Sequence, residues 1–103
     1  MSNAACVGSL VSGHDFCQPT EVISGSENVF VNNKPAARVG DICAEHNCKG
    51  SPFDHPPHVP IIVSGSENVF INNRPAARVG DLVNCMGLFN SEIVSGSENI
   101  FVN

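Results

Sequence analysis

The sequence predicts an all-β fold in which three similar hairpin repeats surround a pseudo-threefold axis. One segment of the chain occurs twice in nearly identical form, and its beginning occurs a third time shortly before residue 103. Self-similarity of this kind is typical of repeat architectures. No stretch shows the sustained 3.6-residue periodicity of an amphipathic helix. We therefore expect strands and turns, with helix nearly absent.

The repeats also predict how the fold closes. The first copy runs from Ser24 to Asp41, the second from Ser64 to Asp81, and a third begins at Ser95 and ends at Asn103. Residues 5–9 align with the second half of the repeat. We expect the third repeat to be split between the two termini, which must then pair. Such closure leaves a small cone or pyramid without free strand edges.

Each repeat is predicted to be a β-hairpin with strands at 28–31 and 36–39 and their equivalents. The strands are joined through Asn32-Asn33-Lys34, and asparagine accepts the left-handed conformation of tight hairpin turns. Small alanines at 36–37 suit a position where three copies approach one axis.

Charged side chains at the repeat ends suggest ion pairs. Either Arg38 pairs with Asp41 and Arg78 with Asp81, or the arginines are solvated surface charges. The half-repeat at the N-terminus departs from this pattern, because it carries Cys6 and Ser9 at the equivalent positions.

Composition indicates one small domain of residues 1–103 and excludes several function classes. The net charge is −5, and five Lys and Arg residues are too few for the basic face of a nucleic-acid-binding protein or a polybasic membrane anchor. The apolar runs are too short to span a bilayer, and the N-terminus lacks a signal-peptide pattern. Charged residues make up only 15% of the chain, which fits a face buried against a partner or a surface of Ser and Asn.

The segments between the repeats predict a metal site. They hold every His and every Cys except Cys6. An odd number of cysteines, the histidines beside them and the missing signal peptide favour a metal over disulfides. Zinc takes four Cys and His ligands in structural sites. Three linkers from three symmetric repeats should converge, and each should then contribute a ligand.

Register selects some of the ligands. His14 and His46 each lie five residues beyond the equivalent positions Ser9 and Asp41, and Cys85 lies four beyond Asp81. The longer second linker offers a fourth ligand, and spacing alone does not choose between its two remaining histidines. An alternative set pairs His46 with two cysteines of the same linker. The two remaining histidines are His55 and His58, and the two cysteines of the alternative set are Cys43 and Cys48. If the alternative set is not the site, we expect Cys17, Cys43 and Cys48 to be small buried side chains.

The repeat motifs of the chain resemble those of a known family. Pro35-Ala36-Ala37-Arg38 and Pro75-Ala76-Ala77-Arg78 resemble the motif that names the PAAR proteins, and the flanking Asn-Val-Phe and Arg-Val-Gly-Asp segments are similar too. The resemblance covers nearly the whole chain. It implies a small β-cone that caps the trimeric β-helical spike of type VI secretion systems and contractile phage tails, one copy per trimer.

The resemblance also implies a zinc site near the apex with three His and one Cys, which carries over onto His14, His46, His58 and Cys85. Its implied role is structural: membrane piercing, with transient contact with the target membrane and possible effector cargo. Alternatives are an adaptor that attaches effectors to the spike, or a zinc hydrolase. The hydrolase would need an open coordination position and a base, for which Glu45 or Asp54 is available.

Overall fold

The computed structural model describes residues 2–13, 18–45, 59–85 and 89–103, which form eleven short β-strands. No helix occurs within these ranges, so none there has the length and hydrophobicity needed to cross a bilayer. The predicted all-β fold is confirmed. The strands are Ser2–Asn3 (β1), Leu10–Val11 (β2), Thr20–Glu21 (β3), Phe30–Val31 (β4), Lys34–Pro35 (β5), Ile61–Ile62 (β6), Phe70–Ile71 (β7), Arg74–Pro75 (β8), Leu82–Cys85 (β9), Phe89–Glu92 (β10) and Phe101–Val102 (β11).

Three antiparallel hairpins of the same register form one end of the molecule. Strand β4 pairs with β5 and β7 pairs with β8, so that Phe30 lies opposite Pro35 and Phe70 opposite Pro75. Strand β1 pairs with β11 in the same way, although these strands come from opposite ends of the chain. The predicted pairing of the two termini is confirmed.

The hairpin turns explain the paired asparagines. Asn32 and Asn33 have φ angles of 50° and 68°, and the equivalent Asn72 and Asn73 have 54° and 65°. Two successive left-handed residues match the twist of a tight hairpin, and asparagine tolerates this conformation better than most residues. The turn therefore has two residues, and Lys34 already belongs to β5.

The predicted second strand, 36–39, is wrong in its partners. The middle of each repeat pairs with the neighbouring repeats instead, through bridges such as Arg38 to Ala76 and Cys6 to Ala36. Ala5, Ala37 and Ala77 form a cyclic set of backbone hydrogen bonds around the axis, each amide donating to the next carbonyl at 3.0 Å. We call these three residues the alanine triangle. A larger side chain there would separate the three backbones.

The alanine triangle divides the interior into two clusters. One cluster holds the alanines that precede the triangle, Ala4, Ala36 and Ala76, with side chains of the hairpins. The other holds the triangle itself with buried side chains of the linkers. Adjacent residues of an extended chain point to opposite faces, so the hairpins and the linkers pack on opposite sides of the triangle.

The Ser-Gly-Ser segment fixes each repeat against this layer. In the second repeat, the Ser66 amide donates to the Ala76 carbonyl at 2.9 Å, and the Ser66 hydroxyl accepts from the Val69 amide at 2.9 Å. A β-carbon built on Gly65 would lie 2.8 Å from the Ala76 carbonyl oxygen. Only glycine allows this close approach, and the same distance is 2.7 Å at Gly25 and 2.6 Å at Gly96.

We expect Gly65→Ala to lower the free energy of unfolding by about 2 kcal/mol, because the new methyl group overlaps backbone that cannot move easily. Urea denaturation would measure the change. Val63→Ala is a nearby control at an exposed side chain, where a change within about 0.5 kcal/mol is expected. Equal stability of Gly65→Ala and the wild-type chain would contradict the close approach.

The linkers build a closed ring that the sequence prediction lacks. Segments 10–12 and 20–22 pair with each other, as do 42–44 with 60–62 and 82–85 with 89–92. Neighbouring pairs are joined by bridges Val22 to Cys43 and Val11 to Ile93 and by the pairing of β6 with β9. All contacts are antiparallel. We call this arrangement the six-segment ring.

The interior of the ring is one layer of small and medium apolar side chains. Five segments each contribute one residue to this layer, and Ile93, directly after the sixth segment, contributes another. Pro60 and Cys85 are fully buried as well, whereas neighbours such as Leu10 and Leu82 are exposed. This alternation is the pattern of a half-buried strand. The ring segments are too short for this alternation to be recognised in the sequence, because each shows only one or two periods. The buried residues are Val11, Val22, Cys43, Ile62, Val83 and Ile93.

Ion pairs hold the turns between the triangle and the ring. The predicted pairs are confirmed: Arg38 Nε lies 2.9 Å from Asp41 Oδ2, and Arg78 Nη2 lies 2.9 Å from Asp81 Oδ1. Arg74 also reaches across from the second repeat to Asp41 Oδ1 at 2.9 Å. Asp41 therefore joins two repeats, a contact that a single repeat does not reveal.

We expect Asp41→Asn to lower the free energy of unfolding at neutral pH by about 2 kcal/mol, because two arginines lose a largely buried partner. Burial alone would raise the pKa of Asp41, but hydrogen bonds from Arg38 and Ser24 outweigh it and hold that pKa below the ordinary value of 3.8. This carboxylate therefore stabilises the fold above pH 3.8, and its contribution is lost as the pH falls through the lower folded value.

Urea denaturation at neutral and acidic pH would test both statements about Asp41. The difference between Asp41→Asn and the wild-type chain should shrink as Asp41 becomes protonated. Asp81→Asn is the matched control, since Asp81 pairs with one arginine among the described residues, and its loss should be smaller. A difference that does not depend on pH would contradict the assignment.

Candidate metal centre

The predicted metal site would lie where the ring segments end. The described chain leaves the ring after residues 13, 45 and 85 and resumes at residues 18, 59 and 89. Because neighbouring segments are antiparallel, these six points lie at one end of the ring, which we call the ring end. Three connections therefore begin and finish around the pseudo-threefold axis, as a shared site requires.

Cys85 is placed at this end with its side chain fully buried. Its Sγ lies 3.8 Å from Ser91 Oγ and 4.0 Å from the Val83 carbonyl oxygen. Burial raises the pKa of the Cys85 thiol, and the Ser91 hydroxyl offsets part of the rise. A bound zinc ion would supply the positive charge that stabilises a thiolate in these surroundings.

Cys43 lies deeper, in the apolar layer of the ring and in register with Val11 and Val83. Burial raises the pKa of its thiol to about 12, with a smaller contribution from Cys85. A thiol among valine and isoleucine side chains has the environment of a small apolar residue. Cys43 belongs to the alternative ligand set, and its apolar surroundings make it a less suitable ligand than Cys85.

The other predicted ligands lie outside the described residues. These are His14, His46, His55, His58 and Cys48, and Cys17 and Asp54 lie there too. Within the described ranges, no three His, Cys, Asp or Glu residues come together to hold a metal. Glu45, which could act as a base in the hydrolase alternative, is exposed, and it is the last described residue before residue 59.

The residue types predicted for this site fit zinc. A buried thiol is in place at position 85. In the sequence, one histidine comes directly after residue 13, and the other three lie between residues 45 and 59. Thiolate and imidazole are the ligands of structural zinc sites, whereas calcium and magnesium prefer oxygen. Of the predicted ligands His14, His46, His58 and Cys85, the structure describes only Cys85, so the full set stays a prediction.

The opposite end of the molecule carries an apolar surface that the sequence prediction did not locate. Phe30, Phe70 and Phe101 occupy the same position in the three hairpins and are 56%, 57% and 48% exposed. We call these residues and the hairpins that carry them the hairpin end. Large exposed apolar side chains in a symmetric group are typical of interaction surfaces. The repeated Asn-Val-Phe or Asn-Ile-Phe segment is the sequence signal for this surface.

Comparison with known proteins agrees with these features. No curated protein matches the chain. The family model of the PAAR motif matches it twice, over residues 2–51 and 53–103. The two matches together take in nearly the whole sequence, including all three hairpins and the ring. The chain belongs to the PAAR-motif family.

Proposed function

We propose that this chain is the tip that caps and sharpens the trimeric β-helical spike of a contractile injection machine for membrane piercing. The alanine triangle is the observation that carries the proposal. In it, one polypeptide places three equivalent backbones around one axis with three equal hydrogen bonds. A single chain with this symmetry can match the end of a trimer and still narrow to one point. Family membership is consistent with the same role.

The hairpin end is the proposed docking face. Its three phenylalanines are related by the pseudo-threefold axis, as are the three strands at the end of a trimeric β-helix. Burying an exposed aromatic side chain contributes about 1.5–3 kcal/mol. Three such contacts in equivalent places favour one tip per trimer, in three orientations that differ little.

The ring end is the proposed apex, where one structural zinc ion is bound by His14, His46, His58 and Cys85. The alternates are His55, Cys43 and Cys48. Four protein ligands leave no open position for water, which catalytic zinc requires. The proposed role is therefore structural, without enzymatic activity. The ion would hold together three connections that the small core of the ring cannot fix by itself.

The same role suits a phage tail or a type VI secretion system. In either machine, the chain would be made in the cytoplasm, assembled as one PAAR domain of residues 1–103, and exported or injected on contraction. The domain comprises repeats 24–41 and 64–81, with 95–103 completed by 5–9. Effector cargo and transient contact with the target membrane belong to the same proposal.

Mixing the chain with a candidate trimeric spike tests the function. We expect one chain per spike trimer, measured as the mass of the purified complex. A stoichiometry of three chains per trimer would contradict the symmetry argument. Recovery of an effector without any spike protein from a pull-down would favour the adaptor alternative.

A further inference from the structure

One flank of the molecule contains a hollow that is larger than its counterpart in the first repeat. The hollow has a volume of about 570 Å³ and lies between residues 6–9, 32–34 and 95–99. The equivalent space in the first repeat, beside Arg38 and Asn72, has about 220 Å³. The difference arises because Cys6 replaces the arginine and Ser9 replaces the aspartate of the other repeats.

The equivalent space in the first repeat, which we call the filled counterpart, shows which chemical groups fit the hollow. There the Asp41 carboxylate accepts hydrogen bonds from the Ser24 hydroxyl at 3.0 Å and from Arg74 Nη2 at 2.9 Å. It also accepts from the backbone and side chain of Arg38. Arg38 Nη1 in turn donates to Asn72 Oδ1 at 3.0 Å. An anion and a cation thus fill this space together.

In the hollow, donors remain but the carboxylate is missing. The Ser9 hydroxyl replaces only one contact, accepting from the Cys6 amide at 3.0 Å. Ser95 accepts from the Leu10 amide at 2.7 Å, but its own hydrogen meets no acceptor among the described residues. Its equivalents Ser24 and Ser64 both donate to an aspartate.

Lys34 is the second donor without an acid partner in the part of the chain that the structure describes. It occupies the position of Arg74 in the repeat. A β-carbon built on Gly8 would lie 3.6 Å from Lys34 Nζ, and one built on Gly40 would lie 3.7 Å from Arg74 Cζ. The ammonium group is therefore positioned as the guanidinium is in the filled site.

We propose that this hollow binds a small carboxylate ligand, held between Lys34 Nζ and the Ser95 hydroxyl in the place that Asp41 takes in the first repeat. Asn32 and Glu98 also line the hollow, and they correspond in register to Asn72 and Glu27, which lie beside Arg38 in the filled counterpart. They suit a cationic group on the same ligand. The ligand class is thus a small carboxylate with a guanidinium or ammonium group.

Amide chemical shifts of the full-length chain test the proposal. The probes are 4-guanidinobutyrate, acetate and guanidinium at constant ionic strength. We expect saturable shifts at Ser9, Leu10, Lys34 and Ser95 with both carboxylates. 4-Guanidinobutyrate should bind at least about tenfold more tightly than acetate, and guanidinium alone should give no saturable shift there. Absence of saturation with either carboxylate would overturn the proposal.

Variants locate the site. Ser9→Asp should abolish the shifts, because an internal carboxylate then fills the place, and Lys34→Met should weaken binding at least about tenfold. Ser95→Ala should also weaken it. Ser64→Ala is the matched control, because the Ser64 hydroxyl already donates a hydrogen bond to Asp81. Ligand binding by this variant should not change. Undiminished binding by Ser9→Asp or by Lys34→Met would refute the assignment.

Discussion

Removing zinc with an excess of a strong chelator should lower the melting temperature of the chain by about 20 °C or more. Structural zinc in small domains contributes on the order of 10 kcal/mol, part of which is used in ordering the ligand-bearing segments. In a domain of this size each kcal/mol shifts the melting temperature by about 4–8 °C. The described core of the ring consists of few small and medium side chains, so little else fixes the three connections.

Zinc content and melting curves of variants would assign the ligands. Cys85→Ser should lose the metal and melt at the temperature of the chelated chain. Cys43→Ser is the matched control, since it changes a second buried thiol of the same ring, and it should keep zinc. His58→Ala should lose zinc and His55→Ala should keep it. An unchanged melting temperature after complete removal of metal would show that the site is not structural.

Phe70→Asp should weaken binding to a cognate spike trimer by about 30-fold or more, because a charged side chain replaces one of the three equivalent aromatic contacts of the proposed docking face. Phe30→Asp and Phe101→Asp should have effects within about threefold of it, since the three positions are equivalent. The triple variant should abolish binding. Titration calorimetry with the purified trimer would measure these affinities.

Leu82→Asp is the control for Phe70→Asp. Leu82 is 45% exposed and lies on the outside of the six-segment ring, away from the hairpin end. Its substitution should leave affinity for the spike unchanged, and the melting curves of both variants would confirm that they fold. Equal losses for Phe70→Asp and Leu82→Asp would place the docking face elsewhere.

The sequence predicted the fold class and its closure because the repeats preserve register. Aligning residues 5–9 with the end of the second repeat required only counting, and the pairing of β1 with β11 follows from it. The alanine triangle could be anticipated only as a need for small side chains. Its hydrogen bonds join residues of different repeats, and a pattern within one repeat does not show partners in another.

The six-segment ring could not be predicted from local pattern, because several segments bury a single side chain, as Val22 is buried between the exposed Glu21 and Ile23. One buried residue between two exposed ones defines no periodicity. The same limit applies to the site. Register placed Cys85 at the ring end, whereas the choice between His55 and His58 depends on how residues 46–58 return to the ring, and it stays a prediction.

The pairing of β1 with β11 makes the third hairpin equivalent in register to the other two. By register, Asn103 and Met1 correspond to Asn32 and Asn33, so a peptide bond between them would complete the third turn. A circular permutant that begins at Asn33 and ends at Asn32 would contain the same three links in the same cycle. In topological terms, the described strands form a cycle, and a permutant that opens this cycle at another hairpin should keep the alanine triangle and the six-segment ring.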